Sequence, residues 1–254
     1  MLRDILSTNV YGFLLIFVRV GAAIMFFPGL SSAAIAVRIR LLLALSIAFL
    51  LVPTLGGQLP RMPADPLSML LLIASEATIG VFFGILGQVL FLPIDIAGAS
   101  IGFSLGLTNM FTHDVVTQEQ SQLMTGLLNL IAVTMVFATD THHLMFQAVV
   151  DSYTLFAPGA TPPFDGFSEM LMRTSSDAMT IGFKLAAPAI VFAMTFNSAL
   201  ALLNRLVPQV QVFFVGVPIQ VMGGLSILAF CLPALMIWFL RFFTDSLTSF
   251  LAPG

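Results

Sequence analysis

The sequence predicts an all-α integral membrane protein with about six hydrophobic segments forming bent or broken helical hairpins. Three observations carry this. Of the 254 residues, 59% are hydrophobic and only 8% are charged. An ordinary soluble domain has roughly 25% charged residues, enough to cover its surface. The mean hydropathy is +1.06, and apolar runs recur along the chain, several interrupted at mid-length by Pro, Gly or a charge. Irregular backbone at membrane depth is tolerated only where protein or water covers it. The pattern therefore points to hairpins buried against other protein.

The first segment covers Tyr11 to Leu30 and holds Arg19 in its middle, ending at Pro28-Gly29. The start, MLRDILSTNV, lacks the pattern of a signal peptide, because Asp4 follows Arg3 and no small-residue cleavage site is near. A second apolar run begins at Leu41, after Arg38 and Arg40, and Gly56 to Pro66 reads as a loop. A third runs from about Leu67 to Leu92 and contains Glu76 with Gly80, Gly84 and Gly87, before Pro93 and Asp95 interrupt it. The fourth, GASIGFSLG, spaces Gly98, Gly102 and Gly106 four apart. That spacing stacks them on one helix face and permits close helix packing.

The longest polar interruption in the first two-thirds of the chain follows, Leu107 to Gln122. After it come the apolar run LMTGLLNLIAVTMVFATD, a short amphipathic segment from His142, and the loop APGATPPFDG. A helix is expected from about Phe167 past Lys184 and Pro188 to Leu203. From Leu206 to Leu240 no residue is charged. That is too long for one span of about 20 residues, so two proline-limited helices are expected to meet as a hairpin between Val215 and Gly224.

Composition excludes several classes. A net charge of -3 without a basic run argues against nucleic acid. The lone cysteine, Cys231, lies in an apolar run and reads as a small packing residue. There is no phosphate-cradling loop ending in Gly-Lys-Ser/Thr and no G-x-S-x-G elbow. His113 beside Asp114, Glu119 nearby, and Asp140 with His142 and His143 do not have the spacing of a ligand helix. No enzyme, metal or cofactor is therefore expected. Arg19, Glu76, Asp95, Asp177, Lys184 and Arg205 lie in or beside apolar segments. Intramembrane ions pair or line an aqueous path. Arg19, Glu76, Asp95, Lys184 and Arg205 are taken as candidates for buried ion pairing between helices or subunits, with a proton or solute path as the alternative.

The stretch NRLVPQVQVFFVGVPIQVMGG, Asn204 to Gly224, resembles the signature region of the FliR family of flagellar export-gate subunits. Asn204, Arg205, Pro208, Gln209, Val212, Phe213, Gly216 and Pro218 fit the family pattern. The central region from Ile101 to Tyr153 is also similar, as are Arg19, Phe27-Pro28 and the neighbourhood of Arg38 and Arg40. Injectisome homologues (SctT-like) tend to carry serine at the position of Gly216, which leans this chain to the flagellar branch. Gln220 and His113-Asp114 depart from the commoner family residues.

The resemblance implies a fold that combines FliP-like and FliQ-like parts. It implies a single copy of this chain closing a hetero-oligomeric stack with FliP-like and FliQ-like subunits in the bacterial inner membrane, at the flagellar basal body. FlhA-like and FlhB-like components and unfolded polypeptide substrates are the further partners it implies. One export-gate domain, 1–254, would carry a channel plug at 106–122, with Met110 and Phe111 as its apolar residues. The Gln209, Gln211 and Gln220 amides would satisfy polar groups across subunits. The rival readings are a proton-coupled secondary transporter of small solutes, for which no internal repeat is evident, an intramembrane lipid enzyme, and a membrane scaffold without a pore.

Overall fold

The apolar runs of the sequence fold into helices, and all regular elements among the described residues are helical. The computed structural model describes residues 2–32, 35–55, 59–60, 62–106, 122–159, 164–206 and 212–251. These form α1 (Leu2–Phe26), α2 (Val37–Leu55), α3 (Pro66–Ser104), α4 (Gln122–Ala138), α5 (His142–Leu155), α6 (Phe164–Leu206) and α7 (Val212–Leu251). Four described helices, α2, α3, α6 and α7, are long and apolar enough to cross a membrane, or five spans if α4 and α5 count as one broken span. The chain is a multi-pass membrane protein, with fewer spans than the six segments expected.

Two merges account for part of the difference, and the apolar part of α1, Val10–Phe26, is too short to count as a span. Pro93 and Asp95 do not end the third segment: α3 is continuous over 39 residues with Pro93 inside it. The uncharged run is not a hairpin turning between Val215 and Gly224 either. Helix α7 runs through that stretch for 40 residues, with Pro218 and Pro233 inside. Helix α6 ends at Leu206 and α7 begins at Val212, and residues 207–211 lie outside the described set. A proline removes one backbone donor and crowds the preceding turn. In apolar surroundings the helix nevertheless remains the cheapest way to satisfy the other backbone groups.

The chain divides into two compact units, each discontinuous in sequence. The first comprises 1–90, 141–174 and 246–254, the second 91–140 and 175–245. In the first unit, α1 buries Leu15, Ile16, Val20, Ala23 and Ile24, one face at helical spacing, and Phe27 is buried just beyond its end. Ala44 and Ala48 are the buried stripe of α2, and a Cβ on Gly21 of α1 would lie 3.8 Å from that of Ala44. Gly80 and Gly84 let α3 press against α1. A Cβ on Gly80 would strike the Arg19 carbonyl oxygen, and one on Gly84 would sit 2.6 Å from the Cβ of Phe26. Phe82 stacks on Phe167 at 3.8 Å between centroids, and Phe156 meets Phe167 edge-on at 5.2 Å.

The second unit is built from the C-terminal part of α3, α4, and most of α6 and α7. A Cβ on Gly98 would lie 2.5 Å from the Thr125 Cα, so α3 and α4 touch backbone to backbone. Gly182 of α6 sits equally tightly on Ile96, 2.8 Å from its Cβ. Phe91 packs edge-on against Phe239 and Phe243 of α7, at 5.3 and 5.8 Å.

Candidate functional site

Two polar assemblies interrupt this apolar packing, one in each unit. In the first unit Arg19 is fully buried, and so is Glu76. The Arg19 Nε donates to Glu76 Oε2 at 2.6 Å. Its Nη1 donates to Ser152 Oγ at 3.2 Å and to the Phe156 carbonyl at 3.2 Å, and Nη2 donates to the same carbonyl at 3.3 Å. The guanidinium lies 4.0 Å from the centre of the Tyr153 ring. The second carboxylate oxygen of Glu76 accepts the Gly159 amide at 3.0 Å.

One arginine thus ties α1 to α3, to α5 and to the turn after α5. The local structure explains why that turn needs help. Phe156 leaves the helix in an extended conformation, and Gly159 has φ of 83°, a conformation costly for any residue with a Cβ. A charge at this depth is tolerated when paired and hydrogen-bonded on its remaining donors.

In the second unit a cavity of about 660 Å³ is bounded by Ser100, Phe103, Ser104 and Gly106 of the α3 end, by Ile190, Ala193, Met194, Asn197 and Leu200 of α6, and by Val217 and Gln220 of α7. Gln220 is buried and its Nε2 donates to the Ser104 carbonyl at 3.0 Å. The amide expected to reach across subunits instead caps a carbonyl at the end of α3 within this chain. That carbonyl would otherwise lack a partner, because the last turn of a helix has none of its own.

The structure distributes the sequence candidates unevenly. It brings Arg19 and Glu76 together. Asp95, Lys184 and Arg205 are exposed instead, as is Asp177, and Asp95 accepts from Asn129 Nδ2 at 2.5 Å. Asp95 is answered by an amide of α4 rather than by a cation, and Lys184 and Arg205 occupy exposed positions of α6. Gly98 and Gly102 are buried. Gly106 is not a packing glycine among the described residues: it lies beyond the end of α3 with φ of 70°, and no described residue lies within 4 Å of where its Cβ would be. It ends the helix in the left-handed conformation that glycine adopts without penalty.

Of the signature residues, Asn204 and Arg205 are exposed at the end of α6. Gly216 packs on Leu200, 2.7 Å from where its Cβ would be. Pro218 is exposed on α7, and Val212 and Phe213 begin that helix. Pro208, Gln209 and Gln211 lie outside the described residues, as do Met110, Phe111, His113, Asp114 and Glu119. The sequence reading missed Ser152, Tyr153 and Gly159 as partners of the ion pair. It noted Gly80, Gly84 and Gly87 without assigning them a packing face, although their spacing of four and three is the same signal read at Gly98 and Gly102.

Residues 10–246 match the family described as bacterial export proteins, family 1. The flagellar biosynthetic protein FliR of Caulobacter vibrioides is 33% identical over 231 residues, which is 91% of this chain and 92% of the relative. The FliR protein of Pectobacterium carotovorum is 31% identical over 85% of this chain and 82% of its own length. The Yop proteins translocation protein T of Yersinia pestis is 22% identical over 91% and 90%. With the match running through α1, the Arg19 cluster, the glycine seam and the signature helices, the chain belongs to the FliR family of bacterial export proteins.

Proposed function

We propose that this chain is a non-enzymatic, channel-forming subunit of the flagellar type III export gate in the bacterial inner membrane, at the flagellar basal body. It would assemble in one copy with FliP-like and FliQ-like subunits, its own fold combining a part like each. Unfolded flagellar proteins would pass through the assembly, driven by other components of the export machine, with FlhA-like and FlhB-like components as further partners.

The observation that carries this reading is the surface left open in the second unit. Asp177, Lys184 and Arg205 are exposed on α6. Interspersed with them, Met179, Phe183 and Met194 are exposed by 50%, 54% and 68%, and Phe230 of α7 by 88%. Lipid does not suit the charges and water does not suit the aromatics, so protein neighbours are the environment that suits both. Helices of 39, 43 and 40 residues are also about twice the length that one bilayer crossing needs, which fits a stack extending beyond it.

The closing element of the channel would be the segment 106–122, with Met110 and Phe111 at the constriction. Apolar side chains close a pore to ions by dewetting and still move aside for a polypeptide, and Met is the most adaptable of them. Native mass spectrometry of the mildly solubilised complex tests the assembly. One copy of the 27.3 kDa chain with several copies of two small hydrophobic partners is expected, and a lone monomer or homodimer overturns the reading. Membrane conductance tests the pore. Shortening 106–122 in an assembled complex should leak ions, and a complex that stays tight is a scaffold without that plug.

A further inference from the structure

Helix α2 is covered by its own chain far less than its composition demands. Only Ala44, Ala48 and Leu55 are buried in it. Ile39, Leu42, Phe49 and Leu50 are each more than half exposed, and no charged residue follows Arg40 in the helix. Its two hydroxyls turn inward: Ser46 Oγ donates to the Leu42 carbonyl at 2.8 Å, and Thr54 Oγ1 to the Leu51 carbonyl at 2.8 Å. A surface with no charge and no open donor suits hydrocarbon, where an unsatisfied polar group has no water to turn to. Nineteen residues at 1.5 Å each give about 28 Å, close to the roughly 30 Å of a bilayer's apolar core.

The N-terminal end of this column is cationic. Arg38 is exposed between exposed Val37 and Ile39 and makes no ion pair with a described residue. Arg40 is tied down by Nη2, which donates to the carbonyls of Ser32 at 2.6 Å and Ile35 at 2.9 Å. Both arginines belong to the first turn of α2, which has no acidic residue to balance them. A guanidinium at the level where an apolar column ends faces the phosphate layer of a membrane.

We propose that α2 is a docking surface for anionic phospholipid: acyl chains lie along Leu42 and Phe49, and the headgroup phosphate sits on Arg38. Arg40 holds the connection before α2 in place and keeps a second positive charge close by. The proposal rests on the membrane character of the chain and is independent of the export-gate reading, so each can fail alone.

The test uses the full chain in its purified native complex. The complex is placed in nanodiscs of mixed phosphatidylcholine and phosphatidylglycerol, and native mass spectrometry measures which lipid it retains. Retention of phosphatidylglycerol is expected to exceed that of phosphatidylcholine and to fall about fivefold in R38Q, the effect of one basic residue at an anionic surface. R38K, which keeps the charge, should retain most of it. Equal retention of the two lipids, or an R38Q complex that keeps wild-type selectivity, overturns the proposal. A photo-crosslinking residue in place of Phe49 supplies a second readout should R38Q fail to assemble. An adduct with lipid is expected, and an adduct with a neighbouring subunit overturns the assignment.

Discussion

Replacing Arg19 by Met should be among the most damaging single changes in the chain, and the structure sets how damaging. The substitution keeps most of the apolar stem but removes every bond the guanidinium makes. Glu76, fully buried, is left with the Gly159 amide alone. Stranding one member of a buried ion pair costs about 3–5 kcal/mol. For a chain of this size each kcal/mol lowers a thermal midpoint by roughly 2–4 °C, so R19M should lose about 10 °C. Glu76→Leu strands the arginine instead, although Ser152, the Phe156 carbonyl and the Tyr153 ring remain around it. Its cost should fall at the lower end of the same range.

The double variant R19M/E76L decides between an ion pair and two independent packing positions. With both charges gone, what remains unpaired is the Phe156 carbonyl and the Gly159 amide, both at half-buried positions. Each costs about 1 kcal/mol, the low end for an unsatisfied group. The double should therefore be no worse than R19M alone and should show a coupling of at least about 2 kcal/mol. The assay is the thermal midpoint of the detergent-purified protein, read together with its level in membranes. Midpoint losses that simply add in the double would refute the reasoning.

Four further changes probe other contacts. Gly98→Ala should cut the yield of folded protein, at about 1–3 kcal/mol for overpacking, because the new Cβ meets the backbone of Thr125 rather than a movable side chain; Gly106→Ala should cost less, about 1–2 kcal/mol for its positive φ alone, and equal yields would reverse that ranking. Gly80→Ala should separate α1 from α3, seen as faster proteolysis of detergent-solubilised protein; wild-type resistance would show that the two helices can shift apart freely. Gln220→Leu should lower the thermal midpoint by a few degrees, as the Ser104 carbonyl loses its donor at about 1 kcal/mol; an unchanged midpoint would mean that this bond adds nothing.

Much of this was legible in the sequence, and the failures share a cause. Hydropathy located every described helix, and the four-residue glycine spacing located the contact of Gly98. Pro93 and Pro218 were misread as breaks because proline is a strong helix breaker in water, where a freed backbone group is easily hydrated and the helix can simply stop. In an apolar setting stopping is worse than bending, so α3 and α7 continue through them. Gly106 was misread in the opposite direction. Its spacing fits a packing stripe, but the helix ends two residues earlier, and spacing carries no information about where a helix stops. The partners of Arg19 were out of reach for a different reason. Ser152 and Phe156 are more than 130 residues from Arg19, and Gly159, which serves Glu76, is 83 residues from it; Phe156 and Gly159 contribute backbone groups, which have no residue-type signature.

The two units treat their charges in opposite ways. In the first, a charge deep in an apolar segment is matched within the chain: Glu76 neutralises Arg19, and Ser152, Phe156, Gly159 and Tyr153 occupy what remains of the pair. Such a unit can form before any partner arrives, because its costliest group is already satisfied. In the second, Lys184 and Arg205 remain exposed on α6, where Met179, Phe183, Met194, Leu202 and Leu203 are exposed as well. Charges on an apolar helix are expensive in lipid and unremarkable at a protein interface. This asymmetry gives an order of events. Loss of Arg19 should remove the chain itself, whereas loss of Lys184 or Arg205 should leave a folded chain that fails to assemble. The same two classes of substitution, compared by chain level and by complex level, therefore separate folding from assembly.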